Sequence, residues 1–270
     1  MGKKMKNAPV YFTIAQVRHN PILSMGNYLP QIQESMRKAG YPDFERRVAI
    51  ALNLFAAAPN AGSKDAKESM PSAQHVERYA FFNADRTRNF LVEPSALSFQ
   101  TTDYGTFETF SAEFFKGMTI VHDVVSLAYA ERVGVRYLDA VVPKEGEKGL
   151  PKYLIPQVLG LANTLPDDIN VTLSLTETHF QAKTGRVLAR TIIQNGPLGF
   201  PLDLQPVGMA LASKFAGVKG VHAILDTDAS YEVRQDIDMA KLLECLQGLH
   251  DDIKVAFDAT VTPHALKTWN

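Results

Sequence analysis

The chain has 270 residues, a single cysteine and a formal net charge of −1, with 46% of its residues apolar and 21% charged. That balance belongs to a globular protein long enough for one large or two ordinary domains. It excludes an intramolecular disulfide and a thiol-rich zinc site, and it offers no overall basic excess for neutralising phosphates. Met1-Gly2-Lys3-Lys4-Met5-Lys6 is basic like the start of a secretion signal, but Gln16, Arg18, His19 and Asn20 interrupt the apolar run that would have to follow. No apolar run approaches the ~20 residues needed to span a bilayer. The expectation is a cytoplasmic protein with no membrane contact. Nucleic acid is not favoured as a partner, since the basic clusters (Lys3, Lys4, Lys6; Arg86, Arg88; Lys144, Lys148, Lys152) are small and read as solvated surface.

In chain order, Asn7 to Arg18 alternates as a strand, with Val10, Phe12 and Ile14 on one face and Tyr11, Thr13 and Ala15 on the other. His19-Asn20-Pro21 ends it, because proline donates no hydrogen bond and pushes its predecessor out of the helical region. Asn27 then caps a helix from Tyr28 to Ala39, with Leu29, Ile32 and Met36 on its buried side and Gly40 as a left-handed stop. Phe44 to Phe55 alternates Val48, Ile50, Leu52 and Leu54, which favours strand over the helix suggested by Ala49 and Ala51. Ala56 to Gln74 is a long polar loop, of a kind that is often functional.

The stretch from His75 to Val142 organises the rest. Val76 to Asn83, Asn89 to Glu93 and Leu97 to Thr102 are short strands joined by tight turns, an antiparallel meander. Thr106 caps a long helix in which Phe107, Phe110, Phe114, Met118, Val121 and Val125 form a wide apolar stripe. Gly117 within that stripe costs about 1 kcal/mol against alanine, which predicts close packing against a neighbour. Arg132 to Val142 is a further strand.

Pro143 to Pro151, charged and bearing prolines and glycines, marks a boundary between residues 1–145 and 146–270. Tyr153 to Leu165 reads as a short helix ended by Pro166-Asp167-Asp168. Ile169 to Phe180 and Arg186 to Gln194 form a hairpin around Lys183-Thr184-Gly185. Met209 to Phe215 suggests helix, and Gly220 to Val233 another strand. Asp236 to Ala259 is the last long helix, with Ile237, Leu242, Leu243, Leu246, Leu249, Ile253 and Phe257 buried and Asp236 or Asp238 at its positive end. The fold class is therefore α+β: antiparallel sheets, a meander and a hairpin, each packed by a long helix in two similar-sized halves.

Glycine-rich phosphate loops, dinucleotide fingerprints, nucleophile elbows and HExxH are all missing. Asp226 and Asp228, two apart on a strand, point to one face and are the candidate metal ligands; the plain alternative is a polar strand face. Arg132 and Arg136 also share a face, with Gly134 between them, and are the candidate binding residues for an anion or a partner carboxylate. Otherwise they pair with Glu131, Asp139 or a neighbour. His122 and Asp123 are adjacent in a helix and do not face each other. His75, His179 and His222 are dispersed, and Cys245 between Leu243 and Leu246 has the setting of an inert buried thiol. No catalytic residue and no cofactor is assigned.

Asn7-Ala8-Pro9-Val10 running into Gln16-Val17-Arg18, then Arg78-Tyr79-Ala80-Phe81, Phe99-Gln100-Thr101, and Arg132 to Tyr137 carry a resemblance. Over essentially its whole length the chain resembles a sporadically distributed prokaryotic family of uncharacterised proteins. The resemblance implies the same order of elements and no functional residue, and scattered distribution is associated with mobile or defence-linked genes. The leading expectation is a non-catalytic macromolecule-binding protein, regulatory, antitoxin-like or defence-linked, with a protein partner or a second copy of itself as a homodimer. The rivals are a metal-dependent nuclease or other phosphodiester enzyme using Asp226 and Asp228, and a small-ligand binder with its pocket between the halves.

Overall fold

The computed structural model describes residues 5–52, 73–144, 149–166, 168–204, 206 and 208–270. The alternating segments form β1 (Val10–His19), β2 (Asp43–Leu52), β3 (Ala73–Phe82), β4 (Arg88–Glu93), β5 (Ala96–Thr101), β6 (Tyr129–Val141), β7 (Leu173–Gln181), β8 (Arg186–Asn195) and β9 (Val221–Asp236). All nine belong to one sheet in the order β2-β3-β4-β5-β1-β6-β9-β8-β7, and every pairing in it is antiparallel. The meander and the hairpin are thus parts of a single sheet, not separate sheets. They are joined where β1 pairs with β6 and β6 pairs with β9. The helices are α1 (Met25–Lys38), α2 (Phe107–Val125), the short α3 (Pro156–Leu159) and α4 (Ser213–Ala216), α5 (Met239–Thr260) and α6 (Pro263–Trp269). Among the described residues no helix is long and apolar enough to cross a membrane.

Period-two alternation sorts the sheet's side chains into two populations. On one side, Ala15, Val17, Val133 and Val135 join Ile32 and Met36 of α1, Phe110, Phe114 and Met118 of α2, and Leu242, Leu246 and Leu249 of α5 in one buried cluster. Gly117 has the neighbour its position predicts, because a Cβ there would overlap the Phe90 ring. On the other side, an irregular stretch lays Leu198, Phe200, Leu204, Leu211 and Phe215 over Phe12, Leu138 and Ile224. The register shifts between Val10 and Phe12, a bulge that lets Tyr11 and Phe12 enter the same cluster. A third cluster, with Val141, Leu150, Tyr153, Ile193 and Trp269, closes one end of the sheet.

Several expectations shift. The first helix begins at Met25 after Ser24, and Asn27 lies inside it. Tyr153 to Leu165 is broken: Pro156 starts α3, and Gly160, with φ of +57°, ends it. The helix suggested for Met209 to Phe215 shrinks to the short α4. Leu243 is 40% exposed and leaves the buried face of α5. The greater part of the loop expected from Ala56 to Gln74, the residues Lys3, Lys4, Lys148 and Asp167, and the expected division at 145/146 lie outside the described residues.

Candidate functional site

The four residues singled out from the sequence do converge, on the sheet face away from α2 and α5. Pairing sets Arg136 opposite Asp228 on β9 and Ile14 on β1, and sets Arg190 on β8 opposite Asp226. Arg136 donates from Nε to Asp226 Oδ1 at 2.6 Å and from Nη2 to Asp226 Oδ2 at 2.8 Å. It also donates to both oxygens of Asp203, which comes from the irregular stretch above the sheet, at 2.9 and 3.1 Å. Arg190 Nη2 lies 2.8 Å from the same Asp226, whose side chain has no exposed surface. Arg132 sits 3.7 Å from both Asp228 and Glu232, and its guanidinium folds over Gly134.

The candidate metal ligands and the candidate anion ligands therefore partner one another. Both oxygens of Asp226 are engaged by guanidinium groups. Asp228 is pushed above the usual carboxylate range, first by burial and against the pull of Arg132 and Arg136. What remains open is a small cavity of about 140 Å³ lined by Gln16, Arg132, Gly134, Arg136, Leu204 and Asp228. Asp139, named with Glu131 as a fallback partner for these arginines, faces the other side: it is three residues from Arg136, so alternation separates them. Among the described residues no three His, Cys, Asp or Glu side chains gather as a metal-type group. His179 instead meets Glu177, and His222 meets Gln194 and the Gly220 carbonyl. The His122 Nδ1 is buried without a partner among the described residues. Burial pushes the Cys245 thiol up to about 11, which keeps it protonated and unreactive at neutral pH.

A second constellation lies on the helix side, where the sequence had marked no site residue. A cavity of about 220 Å³ opens between the N-terminal turn of α2, the C-terminal half of α5, and the strands β1 and β6. Tyr137 and Asp139, two apart on β6, both point there. The Thr106 cap, whose hydroxyl accepts from the Thr109 amide, fixes the start of α2 and brings Phe107 and Glu108 to the rim. From α5 come His250, Lys254 and Phe257, one helix face at four- and three-residue spacing. The segment before β1, tied by the Asn7 amide to the Trp269 carbonyl at 2.8 Å, supplies Met5, Ala8 and Pro9.

The polar groups of this cavity form a chain. The Tyr104 and Tyr137 hydroxyls are 3.1 Å apart, and the Tyr137 hydroxyl is 3.0 Å from His250 Nδ1. The imidazole stacks on Phe107 with centroids 4.4 Å apart. Burial holds His250 below its ordinary pKa, against the opposing pull of Asp251 and Glu108, so the ring is neutral at pH 7. Burial likewise raises both tyrosines, with the nearby Asp139 adding to the effect. Asp139 is only 8% exposed and has no hydrogen-bond or ion-pair partner among the described residues. Burial alone pushes its carboxyl up to about 7. A buried carboxyl without a partner is costly to the fold, and such groups concentrate at functional sites. The sequence carried half of the signal: Tyr137 and Asp139 share a strand face. The other half, Tyr104 and His250, is remote in the chain.

No protein-family model matches this chain, and no curated protein matches it.

Proposed function

We propose that this chain binds a small molecule in the cavity between α2 and α5. The observation that carries this is Asp139, a nearly buried carboxyl with no partner among the described residues, facing a cavity whose walls are otherwise mostly apolar and aromatic. A largely apolar pocket with a few convergent polar groups is the usual form of a ligand site. The reading treats the chain as two α+β halves of similar size, residues 1–145 and 146–270, each bringing one long helix to the cavity. It favours binding over catalysis, because the Tyr104, Tyr137 and His250 groups hydrogen-bond to each other and leave no nucleophile paired with a free base.

The test is a thermal-shift screen of a fragment library against the parent chain and Val10→Phe, a substitution that fills the cavity. A ligand at 100 times its dissociation constant adds about 2.7 kcal/mol of stability. Fragments that raise the melting temperature of the parent and not of Val10→Phe support the site. If every fragment acts equally on both proteins, the reading fails.

The macromolecular partner expected from the sequence belongs on the opposite face. Arg18 is exposed there beside Arg132 and forms no ion pair among the described residues. Sedimentation at rising concentration tests self-association through that face: Arg18→Glu should shift the monomer–dimer balance, and a chain that stays monomeric throughout removes the homodimer.

A further inference from the structure

Resting on the ligand-binding reading, we infer that the cavity takes an organic cation: a small molecule with a protonated or quaternary amine, held by Asp139 as counter-ion and enclosed by aromatic rings.

The charges around the cavity point one way. Its acidic groups are Asp139, from β6, and Glu108, from the first turn of α2. Glu108 is held as a carboxylate by its own backbone amide and by Thr106. Among the described residues no arginine lines the cavity, and the one lysine that does, Lys254 of α5, is paired with Asp258. His250, also from α5, is neutral at pH 7, and Tyr104 and Tyr137 stay protonated. The described residues of β1 and of the segment before it bring only Met5, Ala8, Pro9 and Val10, none of them ionisable. An anion would therefore meet two carboxyls with no free cation among the described residues to offset them.

A neutral apolar ligand fits no better. It would remove water from Asp139 and leave that carboxyl without a partner, which burial penalises. A cation supplies the missing charge. It also meets aromatic side chains: Tyr104, Phe107, Tyr137 and Phe257 line the same space, and aromatic rings attract quaternary and protonated amines. A neutral carboxyl becomes a counter-ion only by losing its proton. Cation binding should then strengthen as pH rises through the range where Asp139 ionises, near 7.

Three probes of nearly one shape separate the alternatives: choline, its neutral carbon counterpart 3,3-dimethylbutan-1-ol, and the anion 3,3-dimethylbutanoate. Binding is followed by the NMR signals of the His250 imidazole and the Asp139 carboxyl carbon. The expected result is that choline binds about tenfold or more tighter than the alcohol, and the carboxylate weakest of all. The quaternary amine does not titrate, so a rise in choline affinity between pH 6 and about 8 reports Asp139 itself. Asp139→Asn, which removes a charge the fold holds at a cost, should fold and should bind choline and the alcohol alike. Equal or tighter binding of the alcohol or the carboxylate overturns the cation inference while leaving ligand binding intact. If none of the three perturbs the cavity signals, the cation inference also falls, and the fragment screen against Val10→Phe decides separately whether the cavity binds anything else.

Discussion

Arg136 grips Asp226 through two hydrogen bonds, at 2.6 and 2.8 Å, across neighbouring strands and on a carboxylate with no exposed surface. The pair is the centre of a network that also holds Arg190 and Asp203. Such a network stabilises little relative to well-packed apolar residues, yet removing one member leaves an uncompensated buried charge, typically at a cost of about 3–5 kcal/mol. Asp226→Ala should therefore lower unfolding stability by about that amount, since Arg136 and Arg190 both lose their buried partner. Asp203→Ala, whose side chain is 55% exposed, should cost much less. Urea denaturation of the two variants checks the ranking. Equal losses would mean that the strand-to-strand pair is not the centre of the network.

Gly117 in α2 offers a test in which two effects oppose. Alanine is favoured over glycine in a helix by about 1 kcal/mol. A Cβ at this position, however, would overlap the Phe90 ring, itself buried against Tyr41 and Phe99. Overpacking of a tight core costs about 1–3 kcal/mol, so Gly117→Ala should be net destabilising. Gly117→Ala in a Phe90→Leu background should recover much of the loss, because the ring is then absent. Melting temperatures of the single and double variants measure the coupling.

Local signals were legible in the sequence and distant ones were not. The Thr106 cap, the left-handed Gly40, the acidic cap of α5 (Asp238 of the two acids the sequence offered, Asp236 instead ending β9) and the alternation of β1 all depend on residues within a turn or two of one another. Gly117 announced a close neighbour, but Phe90 is named only by the fold. The spacing of Asp226 with Asp228, and of Arg132 with Arg136, correctly gave each pair a common face. That both pairs share the same face depends on the β6–β9 register, which neither strand encodes alone. The cavity was hidden for the same reason: Tyr104, Tyr137 and His250 come from a loop, a strand and a helix. Between Tyr153 and Leu165 the apolar content suggested one helix, and Pro156 with Gly160 outweighed it.

Asp252 ties the hairpin turn to α5. Its Oδ2 accepts from the backbone amides of Thr184 at 2.9 Å and Gly185 at 3.1 Å, and the residue is buried. Gly248 one turn earlier gives Thr184 room to approach the helix. Asp252→Ala leaves two amide donors without an acceptor, a loss of about 1–3 kcal/mol for each buried unsatisfied group. Asp252→Asn keeps one oxygen acceptor and should cost less. Neighbouring Asp251 is exposed and bonds only to Gln247 among the described residues, so Asp251→Ala should be near neutral. Hydrogen exchange at Thr184 and Gly185 should accelerate in Asp252→Ala and not in Asp251→Ala; unchanged protection in both would show that the turn is held by something else.

Asp139 should leave its mark on stability as a function of pH. Burial raises its folded-state pKa to about 7, whereas an aspartate in an unfolded chain titrates near 3.9, about the usual value. Between those two pH values the folded state holds a proton that the unfolded state has released. Stability from this residue is thus at its best below about pH 4, falls as pH rises through about 7, and stays low above it. Asparagine has no proton to lose, so Asp139→Asn should gain on the parent as pH rises. The gain should reach up to a few kcal/mol, since a tenfold difference in proton affinity between the folded and unfolded chain is worth about 1.4 kcal/mol. The groups facing Asp139 do not cancel the effect: Glu108 repels its ionised form, burial holds His250 below its ordinary pKa, and Lys254 is engaged by Asp258. The measurement is the difference in unfolding free energy between the two proteins from pH 4 to 9. A difference that stays flat across that range would mean that Asp139 already has a partner that stabilises its charge, and that the cavity offers no vacant counter-ion.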